Sequence, residues 1–99
     1  MTRRAGATAM VATELGSRYL QQLCKHWSHR FPVTFDPQQG RVELAAARVA
    51  LTAEPERLRI DLEVDSLDDL PRLKTVLEEH LNRIAHREAP LPFVWGKAG

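Results

Sequence analysis

The segment LCKHWSHRF, residues 23–31, places a thiol and two imidazoles within six positions, at Cys24, His26 and His29. Thiolate sulfur and imidazole nitrogen are ligands that zinc and iron accept in proteins. A thiol close to an imidazole can also be activated as a nucleophile. The segment therefore raises the hypothesis of a metal or thiol site.

The spacing of the apolar residues around this cluster predicts a helix from about residue 15 to residue 30. Leu20 and Cys24 fall on its apolar face. At 100° per residue, the side chains of Cys24 and His26 point in nearly opposite directions, and only His26 and His29 share a neighbourhood. This geometry favours Cys24 as a small buried hydrophobe and the two histidines as solvated side chains.

A second helix carries His80 on its apolar stripe, between Leu77 and Ile84. A buried imidazole needs a partner, and the ordinary one is a backbone carbonyl or a carboxylate. The alternative is a pair with Cys24 across the two helices, which would lower the pKa of the thiol or complete a ligand set. The candidate ligands for zinc or iron in that case are Cys24, His26, His29 and His80.

Basic residues are concentrated in the first 30 positions, which carry a local excess of four positive charges. Together with the end of the second helix they predict a surface for an unknown protein partner or a small anionic ligand, formed by Arg18, Lys25, His26, His29, Arg30, Arg83 and Arg87. His86 suits the negative end of the helix dipole and needs no further role.

Composition limits the function classes. The chain has 99 residues, a net charge of +1 and one cysteine, so it predicts one domain with no internal disulfide and a cytoplasmic location. No segment resembles a signal peptide or a membrane span. The Gly-rich phosphate loop, the nucleophile elbow, the CxxC pair and the HExxH motif are missing from the sequence, so a motif-bearing enzyme is disfavoured.

The hydrophobic periodicity predicts a strand at 7–12, the helix at 15–30, hairpins over 33–44 and 48–64, a second helix ending near Arg87, and a final edge strand in APLPFVWG. Residues 1–5 and 97–99 are expected to be frayed ends. The order β-α-β-β-β-β-α-β predicts an α+β domain of two layers, an antiparallel sheet of five to six strands with both helices on one face.

The other sheet face should meet solvent through Arg41, Glu43, Arg48, Thr52, Arg59, Asp61 and Glu63. That face is mixed in charge and has no aromatic ring, so nucleic acid is not an expected partner.

Three local expectations follow from the turn and cap chemistry. Thr13 or Ser17 should cap the first helix, and Ser66, Asp68 or Asp69 the second, with Pro71 in its first turn. In DPQQG, Pro37 should preset a turn and Gly40 should take a positive φ.

The segments RYLQQLCKHWSHRFPVTFD, GRVEL and EEHLNRIAHRE together resemble the bacterial domain-of-unknown-function family 2218, over about residues 6–96. The matching positions are Ser17, Arg18, Tyr19, Leu20, Cys24, Lys25, His26, His29, Phe35, Asp36, Gly40, His80, Leu81, Arg83, Arg87 and Glu88. Ile84 and His86 stand where the family favours aromatic residues. The resemblance implies a small stand-alone cytoplasmic protein without an established activity. For some members it implies a link to siderophore-interacting flavoproteins, and so an iron context.

Two hypotheses follow. The first is a non-enzymatic binding or accessory module that uses the basic surface and no cofactor. The second is a zinc or iron site, or a thiol-active site, at the Cys24, His26, His29 and His80 cluster. A homodimer could form through the C-terminal strand, which carries Trp95.

Overall fold

The computed structural model describes residues 5–97 and shows six strands and two helices. The strands are β1 (Ala5–Ala12), β2 (Val33–Phe35), β3 (Gln39–Leu44), β4 (Ala47–Glu54), β5 (Arg57–Val64) and β6 (Phe93–Lys97). The helices are α1 (Gly16–Trp27) and α2 (Leu70–Ile84), the latter preceded by a 3-10 turn at Leu67–Asp69. The predicted element order and the α+β class are confirmed. Residues 1–4 and 98–99, most of the two expected frayed ends, lie outside the described residues, while Ala5 and Lys97 belong to strands.

The six strands form one sheet in the order β2-β3-β4-β5-β1-β6, and every neighbouring pair is antiparallel. β6 pairs with β1, with Ala9 opposite Trp95, so the C-terminal segment is an edge strand as predicted. The alternation in β5 is strict: Leu58, Ile60, Leu62 and Val64 are buried, and the residues between them are partly exposed. This alternation makes one face of the sheet apolar.

Both helices lie on that apolar face. From α1, the side chains of Leu20, Leu23 and Cys24 are fully buried, and α2 contributes Leu77 and Leu81. Burial of each large aliphatic side chain stabilises the fold by about 1.5–3 kcal/mol before chain entropy is counted. The two helices are thereby fixed side by side over the sheet.

The opposite face is charged, as predicted. Arg48 donates to Glu63 at 2.8 Å and to Asp65 at 2.7 Å, and Arg59 contacts Asp61 at 3.1 Å. Hydrogen bonds to Asp65 and Glu63 raise the pKa of Arg48 further above its ordinary value. These pairs are half-exposed, so solvent screens them and each contributes little to stability.

The first helix begins and ends differently from the expectation. Neither Thr13 nor Ser17 occupies the N-cap position, which belongs to Leu15. The Thr13 hydroxyl accepts the Leu15 N–H at 3.1 Å, and Ser17 donates instead to the Pro37 carbonyl at 2.5 Å. The helix stops at Trp27 rather than near residue 30. The following residues form a turn, in which the N–H groups of Arg30 and Phe31 both donate to the Trp27 carbonyl, at 3.0 and 2.9 Å.

The second helix begins at a predicted position and ends early. Asp69 occupies its N-cap position without a side-chain hydrogen bond, and Pro71 lies in the first turn. Ser66 caps the preceding 3-10 turn instead, its hydroxyl accepting the Asp68 N–H at 3.4 Å. The helix ends at Ile84, three positions before the predicted end at Arg87. The following turn brings the Glu88 carboxylate to α1, where it accepts hydrogen bonds from Tyr19 Oη and from Thr13 Oγ1, the latter at 3.1 Å.

Gly40 corrects another expectation. No glycine between residues 5 and 97 has a positive φ. Gly40 lies within β3, opposite Leu51, and its backbone faces the Cys24 sulfur. The turn before it is held by Asp36, whose Oδ1 accepts the N–H groups of Gln38 and Gln39, both at 2.8 Å. Gly40 is therefore required for space and not for backbone conformation.

Candidate functional site

A cleft of about 610 Å³ opens where the end of α1, the turn between β3 and β4, and one face of α2 meet. Its apolar lining comes from Trp27, Phe31, Leu44, Ala45, Ala46, Leu73 and Val76. Its polar lining comes from His26, His29, Arg30, Arg72 and His80. A concave apolar surface with a few convergent polar groups has the usual character of a small-molecule site.

The floor of the cleft depends on small side chains in a tight turn. Leu44 pairs with Ala47, so Ala45 and Ala46 alone connect β3 to β4. Because neither alanine reaches beyond its Cβ, the space between the two helices stays open above this turn. On one side, Trp27 is only 4% exposed and forms a firm apolar wall.

His80 is held in place from three directions. Its Nδ1 lies 2.8 Å from the Val76 carbonyl oxygen one helical turn earlier. The Trp27 ring lies 5.3 Å away, centroid to centroid, and the His26 ring 5.8 Å away. Because a carbonyl oxygen can only accept, Nδ1 carries the proton and Nε2 is the free nitrogen. The ordinary expectation for His80, a backbone hydrogen bond at the edge of the core, is therefore what the structure shows.

The α1 side of the cleft contributes exposed basic groups. His26, His29 and Arg30 are exposed, and the Arg30 guanidinium forms no ion pair with any side chain between residues 5 and 97. Arg72, from the first turns of α2, pairs with Asp69 at 3.4 Å, and its side chain is 63% exposed. Such a weak, solvated pair leaves the guanidinium able to turn toward a ligand.

The charge of the cleft has one sign. Among the described residues that line it, two are arginines, three are histidines and none is an aspartate or glutamate. Guanidinium groups bind carboxylates and phosphates in a two-pronged geometry. The cleft can therefore orient an anionic group against Arg30 and Arg72 while an apolar body contacts Phe31, Leu44 and Leu73.

Cys24 does not take part in this arrangement. Its side chain is fully buried beneath Gly40, and it does not line the cleft. Burial raises the pKa of the Cys24 thiol to about 11. A reactive cysteine needs a lowered pKa and access to solvent, and Cys24 has neither.

The four candidate ligands are only partly brought together. His26 and His80 meet across the two helices, whereas Cys24 lies apart from them in the core. Within residues 5–97, no three His, Cys, Asp or Glu side chains are grouped closely enough to hold a metal ion.

The predicted basic surface is divided in the structure. His26, His29 and Arg30 line the cleft, while Arg18 and Lys25 lie along a shallow depression on α1. Arg83 and Arg87 are exposed outside the cleft. The predicted residues therefore do not form one continuous surface.

Arg72 is the site residue that the sequence prediction missed. It precedes Val76 by one helical turn and His80 by two. Residues spaced by four lie on the same face of a helix, so Arg72 shares the face of α2 that carries His80. The turn residues Ala45 and Ala46 carry no comparable signal, because their contribution is the absence of bulk.

Comparisons with known proteins agree with the fold. Residues 8–96 match the sequence model of a family described as an uncharacterized protein conserved in bacteria, domain of unknown function 2218. The chain is similar to the NMR structure of PA4090 from Pseudomonas aeruginosa, with 32% identity, a TM-score of 0.77, and coverage of 93% of this chain and 95% of that one. No curated protein matches the chain. Neither helix among residues 5–97 has the length and hydropathy that a membrane crossing requires.

Proposed function

The chain belongs to the bacterial domain-of-unknown-function family 2218, and from this premise we propose that it is a non-enzymatic binding module that holds a small anion with an apolar body in the cleft between its helices. The observation that carries the proposal is the lining of that cleft: Arg30, Arg72 and three imidazoles around an apolar floor, with no carboxylate among the described lining residues.

Each half of such a ligand would meet a matching surface. Trp27 and Phe31, at and just after the end of α1, offer aromatic area, and Leu44 and Leu73 add aliphatic area. The two arginines approach from different elements, one after α1 and one on α2, so they can clamp an anionic group from two sides. A cleft of about 610 Å³ lies within the range of small-molecule sites, which is about 300–1,000 Å³.

Other parts of the chain support a binding module over its alternatives. A buried thiol with a raised pKa is a poor nucleophile. The solvent face of the sheet is occupied by ion pairs such as Arg48 with Glu63, so we do not propose nucleic acid as a partner. We place the protein in the cytoplasm, since its single cysteine needs no oxidising compartment.

The test uses two probes of the same shape and different charge. Anilinonaphthalene sulfonate is an apolar anion whose fluorescence rises in apolar sites, and phenylnaphthylamine is its neutral counterpart. Titration of the folded protein should give saturable binding of one sulfonate per chain. The neutral probe should bind more weakly.

Variants locate the binding. Arg30→Gln and Arg72→Gln should each weaken sulfonate binding about tenfold or more, the equivalent of losing a charged hydrogen bond of about 1.5–3 kcal/mol. Arg83→Gln, on the same helix but outside the cleft, is the matched control and should have no effect.

Ala45→Trp fills the exposed turn without changing charge and should block both probes. Equal losses in Arg72→Gln and Arg83→Gln, or unchanged binding in Ala45→Trp with the fold intact by near-UV circular dichroism, would refute the cleft as the binding site.

A further inference from the structure

The pairing of His26 with His80 carries an inference of its own. The two imidazoles come from different helices, their ring centroids are 5.8 Å apart, and both line the cleft. We propose that these two histidines hold a divalent transition-metal ion, with zinc, nickel or copper as the chemical class. The site is a pair of protein ligands with open positions and does not include Cys24.

The separation of the rings suits a shared ion. With a zinc to nitrogen distance of about 2.0–2.1 Å, the centroids of two imidazoles in tetrahedral coordination lie about 5.2 Å apart. The observed 5.8 Å is close to this value. His26 is exposed, so its ring can turn toward the ion without displacing packed neighbours.

His80 is already prepared for coordination. The hydrogen bond from Nδ1 to the Val76 carbonyl, at 2.8 Å, selects the tautomer with a free Nε2 lone pair. Histidines that bind metals usually donate their other ring N–H to a carbonyl or carboxylate, which orients the ring. Trp27 packs 5.3 Å from His80, centroid to centroid, and restricts its rotation further.

The surroundings decide which ion and which co-ligands are suitable. Imidazole nitrogen suits zinc, copper and nickel, whereas calcium and magnesium need oxygen ligands, which no carboxylate in the described lining supplies. His26 lies in the last turn of α1, where the negative end of the helix dipole favours a cation. Water or a bound anion would fill the remaining positions, and Arg30 and Arg72 oppose the ion rather than bind it.

The experiment titrates untagged protein with zinc alone, followed by calorimetry. One zinc per chain is expected. His26→Gln and His80→Gln should each lower the affinity at least tenfold. His86→Gln, an exposed histidine just after α2 and outside the cleft, should leave it unchanged. Arg72→Gln should leave zinc affinity unchanged or raise it, because it removes a repulsive charge.

A second measurement does not depend on variants. Cobalt added to the native protein should broaden the ring signals of His26 and His80 before those of His86 in the NMR spectrum. Absence of zinc binding, equal losses in His86→Gln and His80→Gln, or preferential broadening of His86 would each overturn the proposal. Arg72→Gln separates this metal site from the proposed anion binding, since it is expected to weaken binding of the sulfonate probe without lowering the affinity for zinc.

Discussion

The Cys24 sulfur lies directly beneath Gly40, so close that a Cβ atom at position 40 would stand 2.7 Å from it. The Leu20 side chain would lie 3.3 Å from that added Cβ atom. Helix α1 can therefore approach β3 only because position 40 has no side chain. The thiol that first suggested a metal site is a packing element between helix and sheet.

Replacing Gly40 by Ala should destabilise the protein by about 1–3 kcal/mol, the usual cost of overpacking a core. Cys24→Ala should lessen that loss in the double variant, because it removes the atom in collision, so the two changes should be non-additive by at least about 0.5 kcal/mol. Urea unfolding measures all three. Gly96→Ala is the control, since a Cβ at Gly96 has open space around it. Equal stability of the Gly40→Ala and Gly96→Ala variants would contradict the packing role.

The thiol of Cys24 should be inert in the folded protein. Burial raises its pKa to about 11, and thiol reagents attack through the thiolate, so labelling at pH 8 should wait for unfolding. The rate of reaction with a chromogenic disulfide should therefore rise with urea in parallel with unfolding. Ser28→Cys in a Cys24→Ala background places a thiol at the exposed end of α1 and should react at once. Equally fast labelling of native Cys24 would revive the thiol-active hypothesis.

Tyr19 should retain its proton to unusually high pH. Burial, followed by its hydrogen bond to Glu88, raises the pKa of Tyr19 to about 12. The folded state then holds a proton that the unfolded state loses near pH 10, so this contribution to stability is complete below pH 10 and is lost as the pH rises toward 12. Absorbance at the tyrosinate band reports this group alone, because the chain has one tyrosine.

Glu88→Gln should lower the midpoint of that titration, because it removes the negative charge beside the phenol. Glu79→Gln, an exposed change on α2, is the control and should leave the midpoint in place. A native midpoint near pH 10 would show that the contact between Tyr19 and Glu88 does not persist in solution.

The regular elements could be predicted from the sequence because their periodicity is set by the layer they cover. The alternation of Leu58 to Val64 and the helical spacing of Leu73, Leu77 and Leu81 both describe a single apolar face. The ends of the helices were less predictable. The Thr13 hydroxyl just before α1 donates to Glu88 beyond the end of α2, and no local pattern encodes such a contact between positions 75 residues apart.

The candidate site was predictable only in part for a similar reason. The sequence predicted His26 on one helix and His80 on another, but their pairing depends on how the two helices cross. Helical spacing separates Cys24 from His26 within α1, and it carries no information on the position of α2. Arg72 could have been predicted, because it lies two helical turns before His80. The cleft itself could not have been predicted, because Ala45 and Ala46 contribute to it only by their small size.

The C-terminal strand should depend on Glu78 for its attachment to α2. Trp95 Nε1 donates to Glu78 Oε2 at 2.7 Å, Lys74 Nζ lies 5.3 Å from the centre of the Trp95 ring, and Phe93 stacks on the ring at 6.2 Å. Trp95 is therefore turned onto α2 of the same chain. A homodimer through this strand, which stays a prediction, would have to use the backbone edge of β6.

Glu78→Ala leaves the indole N–H without its acceptor and should destabilise the protein by about 1–3 kcal/mol. Amide hydrogen exchange should accelerate across Phe93–Lys97 and much less across Val33–Phe35, the strand at the other edge of the sheet. Glu79→Ala, the exposed neighbour, is the matched control. If the amides of β6 are equally protected from exchange in both variants, the strand is held by its pairing with β1 alone, and Trp95 contributes only apolar contact.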